Sequence, residues 1–442
     1  MMAFLRRQVQ HLRQQLVWRL HMLLRGPDPH RQPERNIWHL YQDVLWIGLA
    51  GVASRFTSVY AIRLGASDAL IGLLSSLPAL IVILLRLPAA QLVERTGDRV
   101  RLIAGSFLVT RSLFLVLALL PFLRLSHEAA IFVALVILMS LAAIVANAGW
   151  DSLFADVVPG RDRATVISVR SSLASAMAVV VVLLGGKWLD WIPFPWNYQA
   201  VFLLAFAGGM VSTYHVARIQ PPPAGPLRER RARFRWHDIR QLFVGNPGFK
   251  ALVVASFVYQ LGMSLPSPLY NIYFVRHLLA TDGWIGLRAT VGSLTPILAY
   301  RFWPRLVKRW GDRAVLVLCV PLTVFLPLGT GVFQSLTPQI FVMAWLGLFG
   351  PGVNLTRYNI LLRVCPADRR PTAIGVYAII ANIAAFVAPL VGVRLMGLLG
   401  IRNVFFLAAA VRLTGALLFQ RLPHDSKGPT LRLRDRLFFW RA

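Results

Sequence analysis

Residues 64–102 read LGASDALIGLLSSLPALIVILLRLPAAQLVERTGDRVRL, and residues 278–316 read LLATDGWIGLRATVGSLTPILAYRFWPRLVKRWGDRAVL. Placed side by side at an offset of 214 positions, the two stretches agree at 16 of 39 positions without a gap. Shared hydrophobicity alone produces scattered matches, whereas here an Ile-Gly-Leu and a Gly-Asp-Arg triplet coincide in one register. A repeat of this kind indicates that the chain consists of two related halves.

Each copy of the repeat has the same local plan. An aspartate, Asp68 in the first copy and Asp282 in the second, opens an apolar run of about 20 residues, the length that a membrane-spanning helix needs. A basic loop closes the run, and Gly97 in that loop suits a tight turn because glycine tolerates a positive φ. The arginines beside it suit the phosphate level of a cytoplasmic leaflet.

The composition points to a membrane protein. The chain has 442 residues, 57% of them hydrophobic, and a mean hydropathy of +0.60, which is too apolar for a soluble domain of this length. Its formal net charge of +29 is an excess that often indicates nucleic acid. Because the basic residues lie between apolar runs, we expect anionic lipid headgroups as their partner, and no nucleic acid. Two distant cysteines and nine scattered histidines form no metal or redox motif, so we expect no metal and no cofactor.

Twelve apolar runs define the organisation of the chain. They lie near 44–64, 69–90, 102–122, 129–150, 165–186, 198–217, 248–274, 283–304, 314–335, 339–360, 372–398 and 402–420. We therefore predict an N-terminal six-helix bundle at 43–217, a C-terminal six-helix bundle at 248–421, a basic linker at 218–247 and a basic tail at 422–442. Residues 1–42 have the pattern of a basic amphipathic helix, which either lies flat on an anionic leaflet or packs on the protein itself.

The distribution of positive charge predicts the orientation. With both termini in the cytoplasm, the inner segments and adjoining helix ends hold 35 of the 47 lysines and arginines, and the outer connections hold six. Cytoplasmic loops of membrane proteins carry such an excess. We therefore predict a multi-pass protein of the bacterial inner membrane with both termini and the central linker in the cytoplasm.

The repeated basic loop resembles a signature of the major facilitator superfamily, Gly-x-Leu-Ala-Asp-Arg-x-Gly-Arg-Lys, found between helices 2 and 3. Here Glu94 stands at the place of the signature's aspartate, Ala90 replaces its first glycine and Asp98 replaces its second arginine. The second copy departs further, with Pro304 and Lys308 at the first and fifth places. In the family the acidic residue helps to latch the halves on the cytoplasmic side, a role that Glu94 could keep and that Lys308 could not play in the same way.

The resemblance implies an all-α membrane protein with twelve transmembrane helices in two pseudo-symmetric six-helix bundles. It also implies alternating access, in which the halves rock about a central site near the membrane midplane. The first and fourth helices of each half then line the central cavity. The residues expected at the cytoplasmic gate are Glu94, Arg95, Gly97, Asp98, Arg99, Arg309, Gly311, Asp312, Arg313, Asp151 and Arg357.

Arg55 is the most informative candidate for substrate binding. It lies about ten residues into the first run, or about 15 Å at the helical rise. A charge at that depth costs at least about 2.5–3.5 kcal/mol on insertion scales, so it requires water or a partner. In one interpretation Arg55 binds an anionic group of the substrate. In the other it bonds backbone carbonyls or pairs with a carboxylate such as Asp151.

Further polar residues lie on the faces expected to line the cavity. In the seventh run Pro266 removes a backbone donor and is expected to break the helix, and interrupted helices often supply ligand contacts. The alternative is a kink packed by neighbouring helices, with Gln260 bonding between them. Asn147 and Asn354 occupy equivalent places in the two halves, at an offset of 207. The substrate-binding candidates are Arg55, Ser58, Asn147, Gln260, Ser264, Asn271 and Asn354.

Several patterns are missing from the sequence. No Asp or Glu lies in the middle third of any predicted run, although proton-coupled carriers commonly use one. No Gly-x-x-x-x-Gly-Lys-Ser/Thr loop is present, so ATP-driven transport is unsupported, and no nucleophile–base pair indicates an enzyme. Arg111 and Arg412 are deep as well, but they lie in helices that are peripheral in the family, so we expect structural roles for them.

The sequence thus predicts a secondary transporter, a monomer, that moves a small and possibly anionic organic solute. Two alternatives stay open. An exporter of hydrophobic or drug-like compounds would have an aromatic cavity with few charges, from which Arg55 turns away. A non-transporting receptor or scaffold would fill the interface between the halves with large apolar side chains and use the tail from Arg432 to Arg441 to bind a partner.

Overall fold

A computed structural model describes residues 32–160, 162–221, 240, 242–366 and 370–422. The amphipathic segment up to residue 31, the linker residues 222–239 and the tail from residue 423 onward lie outside the described residues. Within the described ranges the regular secondary structure is helical. This confirms the all-α fold class.

Seven α-helices precede the linker in the described part of the chain, and we call them the N half. They are α1 Gln32–Gly48, α2 Gly51–Arg63, α3 Asp68–Arg95, α4 Arg99–Leu119, α5 Glu128–Val157, α6 Arg163–Trp191 and α7 Trp196–Ala217. Helices α1 and α2 form one span with a short interruption at Leu49 and Ala50. This first span begins at Gln32, well before the predicted run near 44–64, because α1 is held to α7 by polar side chains that lower its hydropathy.

Eight α-helices follow the linker among the residues that the structure describes, and we call them the C half. They are α8 Pro247–Ser264, α9 Ser267–Ile272, α10 Asp282–Trp310, α11 Asp312–Thr323, α12 Phe325–Val332, α13 Leu336–Val364, α14 Arg370–Leu399 and α15 Ile401–Phe419. The seventh span breaks between α8 and α9, at Leu265 and Pro266, as the sequence predicted. The proline there cannot donate the next helical hydrogen bond.

Eleven spans among the described residues are long and apolar enough to cross a membrane. The remaining predicted span, α10, has 29 residues. It is less hydrophobic than the other eleven spans because it carries five basic residues. They are Arg288, Arg301, Arg305, Lys308 and Arg309. Helix α10 nevertheless packs along α6 and α13, so it completes the bundle with protein contacts that compensate for its lower hydrophobicity.

The two copies of the repeat fold in the same way at their starts. The Ser67 side chain accepts a hydrogen bond from the backbone N–H of Leu70 at 3.4 Å, which caps α3. At the same place in the second copy, the Thr281 side chain accepts from the N–H of Trp284 at 3.2 Å and caps α10. Serine and threonine satisfy the free donors of a helix N-terminus in this way.

The bundle has two unlike ends. We call the end at which the first and last described residues lie the termini end, and the opposite end, with the connections α2–α3 and α9–α10, the far end. At the far end one buried apolar cluster contains side chains of both halves, among them Val59, Ile71, Leu269, Ile285 and Val404.

At the termini end the apolar cores are separate. One cluster belongs to the N half alone and includes Leu40, Ile103 and Val216. Another belongs to the C half alone and includes Phe249 and Phe419. The described halves therefore share an apolar core at the far end and have separate apolar cores at the termini end.

Candidate functional site

Two reciprocal ion pairs join the halves at the far end. Arg63 of α2 donates to the Asp282 carboxylate at 3.3 Å and to the Ala280 carbonyl at 3.0 Å. In the other direction, Arg276 beyond α9 donates to the Asp68 carboxylate. Asp68 and Asp282 are equivalent residues of the repeat, so each half holds the other through the same position. We call these four charged side chains the reciprocal latch.

Glycines bring the helices of the two halves close together beside the reciprocal latch. A Cβ placed on Gly186 of α6 would lie 3.1 Å from the Gly286 Cα of α10. A Cβ on Gly72 of α3 would lie 3.0 Å from the Val393 side chain of α14. The Asp190 carboxylate also accepts a hydrogen bond from the Gly283 N–H at 2.9 Å. Larger residues at these places would separate the helices, so the far end is sealed by direct packing.

The predicted substrate-binding residues differ in their surroundings. Arg55 is exposed, and no described residue forms an ion pair or hydrogen bond with its guanidinium. Asn147 and Asn354, equivalent in the two halves, are both exposed. Gln260 donates to the Ser264 hydroxyl at 3.0 Å within α8. Ser58 and Asn271 are half-buried, and their role in binding stays a prediction.

The predicted gate residues of the first loop bind within their own half. The Asp98 carboxylate accepts from the Arg101 N–H at 3.0 Å and caps α4, and Arg99 pairs with Asp156 at 3.2 Å. Glu94 is exposed, as are Arg95 and Gly97, and Glu94 forms no ion pair among the described residues. In this conformation the expected latch at Glu94 is not formed.

The second loop is organised differently. Asp312 is buried and accepts hydrogen bonds from Asn359, at 2.8 Å, and from Arg363. Gly311 has a φ of 83°, a conformation that glycine adopts readily. Four gate candidates remain. Arg309 and Asp151 are exposed. Arg313 donates to the Gln420 carbonyl, and the Arg357 guanidinium lies 5.9 Å from the centre of the Tyr259 ring. Their role in gating stays a prediction.

The sequence analysis missed a buried charged cluster around Asp43. Its carboxylate lies 3.6 Å from Arg111 and 3.1 Å from Arg170, and it accepts a hydrogen bond from the Ser212 hydroxyl at 2.5 Å. Arg111 also donates to the Thr213 hydroxyl at 2.7 Å. These side chains join α1, α4, α6 and α7 inside the N half. We call Asp43, Arg111, Arg170 and Ser212 the Asp43 cluster.

The statement that no acidic residue lies in the middle third of a span is therefore wrong. Asp43 was placed outside the first span because the apolar run begins at residue 44, whereas the helix begins at Gln32. One signal could have located it. One face of α1 carries polar residues at three- and four-residue steps, namely Gln32, Asn36, His39 and Asp43. This face bonds His215 and Ser212 of α7 and Gln220 just after that helix.

Comparisons with known proteins agree with this architecture. The sequence profile described as Major Facilitator Superfamily matches residues 44–270 and 252–441. A protein of Proteus mirabilis (strain HI4320) named Multidrug resistance protein MdtG is 27% identical over 154 residues, which is 34% of this chain and 38% of that protein. The match thus spans less than two-fifths of the length of this relative.

Solved structures share the whole fold at low sequence identity. The D-xylose-proton symporter superposes with a TM-score of 0.67 at 14% identity, covering 91% of this chain and 100% of that chain. A bacterial homolog of the human lysosomal transporter Spinster, in an inward-facing and unoccupied conformation, superposes with a TM-score of 0.62 at 15% identity, covering 90% and 100%. At these identities the likeness shows the fold alone.

Proposed function

Because this chain belongs to the major facilitator superfamily, we propose that it is a secondary transporter that moves a small organic solute by alternating access. The observation that carries the proposal is the asymmetry of the bundle, with one shared core at the far end and two separate cores at the termini end. Two halves that share an apolar core at one end and have separate cores at the other can rock about the space between them, which exposes that space to each side in turn.

The orientation follows from the charge distribution. With 35 of 47 lysines and arginines on the side of the termini, that side is the cytoplasm. We infer an inward-facing state, and we propose that the protein is a monomer in the bacterial inner membrane with its basic segments against anionic headgroups. The reciprocal latch lies on the outer side and holds this state closed to the exterior.

Arg55 supports an anionic substrate. Its helix α2 contacts helices of both halves, α3, α5, α6, α7 and α9, yet its side chain remains exposed and unpaired among the described residues. We infer that Arg55 faces the space between the halves, since its helix contacts both of them. An unpaired guanidinium there suits a carboxylate or another anionic group, because it presents several donors in one plane.

Replacing Arg55 by glutamine is expected to reduce the transport of an organic anion at least about tenfold, because a charged hydrogen bond contributes about 1.5–3 kcal/mol. The measurement is uptake of labelled organic anions into proteoliposomes. Arg394→Gln is the matched control, since Arg394 is exposed near the end of α14. Equal uptake by Arg55→Gln and the wild type would contradict the anionic interpretation.

A second candidate function is the export of drug-like compounds. The observation that favours it is the similarity of part of this chain to a protein named for multidrug resistance. The two functions differ in their dependence on Arg55. An exporter of lipophilic cations would show transport that Arg55→Gln preserves or increases, because removing the guanidinium removes a repulsion.

The reciprocal latch yields a separate prediction. Asp68→Arg places two cations together at the far end and is expected to open it. Exposed ion pairs contribute about 0.2–1 kcal/mol, so the closed population is expected to fall by up to about fivefold. The measurement is the rate at which a membrane-impermeant thiol reagent labels a cysteine introduced at Leu269, which is buried at the far end.

The charge swap is the control for this experiment. In the double variant Asp68→Arg with Arg276→Asp the attraction is restored, and the labelling rate is expected to return toward that of the unmodified latch. Equal labelling rates in the single and the double variant would mean that the ion pair does not hold the far end closed.

A further inference from the structure

Arg288 of α10 is a charged residue that the two-fold repeat does not explain. At the equivalent place in the first copy stands Leu74, a buried apolar residue. The Arg288 guanidinium lies 4.5 Å from the centre of the Phe274 ring and 6.0 Å from that of the Tyr270 ring. The C half therefore places a cation against an aromatic wall where the N half has a leucine in its core.

The described part of the C half contains no carboxylate that neutralises Arg288. Between residues 242 and 422 the structure describes two acidic residues, Asp282 and Asp312. Asp282 pairs with Arg63 of the N half, and Asp312 is engaged by Asn359 and Arg363. A partly buried charge without a counter-charge is unfavourable, so this position calls for an anion from outside the described residues.

The donors of Arg288 are available for such an anion. Its Nε is buried and has no hydrogen-bond partner among the described residues. The neighbouring Tyr270 hydroxyl faces the Arg412 guanidinium. The side chain of Arg288 as a whole is half-buried, so the described protein leaves part of it accessible. A guanidinium on an aromatic face keeps its N–H groups in its own plane, where they can bind a ligand.

We propose that Arg288 forms a binding subsite for the carboxylate of an organic anion, with the Phe274 and Tyr270 rings as its apolar wall. This inference rests on the proposed transport function and names its substrate class. A carboxylate accepts two parallel bonds from one guanidinium and supplies the missing negative charge. Arg55 then serves the N half and Arg288 the C half, so that both halves contact an anionic substrate.

The first test uses the protein without any ligand. Arg288→Met removes the charge and keeps much of the side-chain volume. If Arg288 awaits an anion, the melting temperature of the purified variant is expected to equal or exceed that of the wild type, because an uncompensated charge has been removed. Arg301→Met, an exposed position on the same helix, is the matched control. A melting temperature several degrees below that of the control would show a structural role and overturn the proposal.

The second test compares matched acids and amides as probes, namely benzoate with benzamide, phenylacetate with phenylacetamide, and hexanoate with hexanamide. At least one acid is expected to raise the melting temperature of the wild type, its amide is not, and Arg288→Met is expected to abolish the shift. No shift with any of the acids would overturn the carboxylate assignment.

The comparison with Arg55 separates this inference from the proposed function. A rise in melting temperature with an acid that persists in Arg288→Met but is lost in Arg55→Gln would overturn the Arg288 subsite. The protein would still be an anion transporter. Uptake of a neutral or cationic solute without any acid-dependent shift would overturn the anionic substrate for both residues while leaving the transport function in place.

Discussion

Asp43→Ala is expected to destabilise the protein by about 3–5 kcal/mol, the cost of breaking a buried ion pair by removing one partner. The Asp43 and Arg111 side chains are only 5% and 4% exposed, so water does not replace the lost carboxylate. Both Arg111 and Arg170 would lose their counter-charge, and the Ser212 hydroxyl would lose its acceptor. The measurement is the free energy of unfolding in mixed detergent micelles.

An exposed pair in the same half provides the matched control for Asp43→Ala. Asp156 pairs with Arg99 at 3.2 Å, and the two side chains are 45% and 28% exposed. Asp156→Ala is therefore expected to change stability by no more than about 1 kcal/mol. If the two aspartate variants lost equal stability, the Asp43 cluster would not be the buried charged centre of the N half.

Arg412→Met is expected to have the second large effect, because Arg412 binds two carbonyls that prolines have freed. Pro327 lacks the N–H that would bond the Thr323 carbonyl, and Pro266 lacks the one for Gly262. Arg412 is completely buried and donates to these carbonyls at 2.8 Å and 3.4 Å. Each buried carbonyl left without a donor costs about 1–3 kcal/mol, and the unfolding free energy is expected to fall accordingly.

Restoring the missing backbone donors tests this explanation. In a Pro266→Ala/Pro327→Ala background the freed carbonyls regain an N–H four residues along the helix. Arg412→Met is then expected to cost less stability than it does in the wild type. A cost that is the same in both backgrounds would show that the proline-freed carbonyls are not the partners that make Arg412 important.

The buried arginines show how the halves differ beneath their shared plan. In the N half Arg111 is supplied by α4 and bonds the Gly209 carbonyl of α7. In the C half Arg412 is supplied by α15, the counterpart of α7, and bonds the Thr323 carbonyl at the end of α11. The structural role that the sequence suggested for both residues agrees with these contacts. Their partners differ, since Arg111 neutralises Asp43 while Arg412 binds backbone oxygens.

Much of the fold could be predicted because its signals are local. The matched Ile-Gly-Leu and Gly-Asp-Arg triplets identify two related halves, and apolar runs of membrane-crossing length identify the spans. Pro266 marks the break in the seventh span because a proline interrupts its own helix. The start of the first span was missed because polar residues from Gln32 to Asp43 lower its hydropathy.

The partners of the charged residues could not be predicted in the same way. Arg55 was recognised as a deep charge, but the sequence left its partner open, and Asp43 was not recognised at all. Asp68 and Asp282 were visible as repeated residues, yet their ion pairs with Arg276 and Arg63 require that the two halves close at the far end. These contacts depend on which helices pack together.

The sequence by itself determined the membrane class, the two related halves and the spans, because hydrophobic length and internal repetition are properties of consecutive residues. Only the tertiary structure decided that Asp43 meets Arg111, that Arg412 binds two freed carbonyls and that Arg288 has no carboxylate among the described residues of its half. The physical reason is that a buried charge takes its partner from the helices packed around it. Those partners can lie far apart along the chain, as Asp43 and Ser212 do, which are separated by 169 residues.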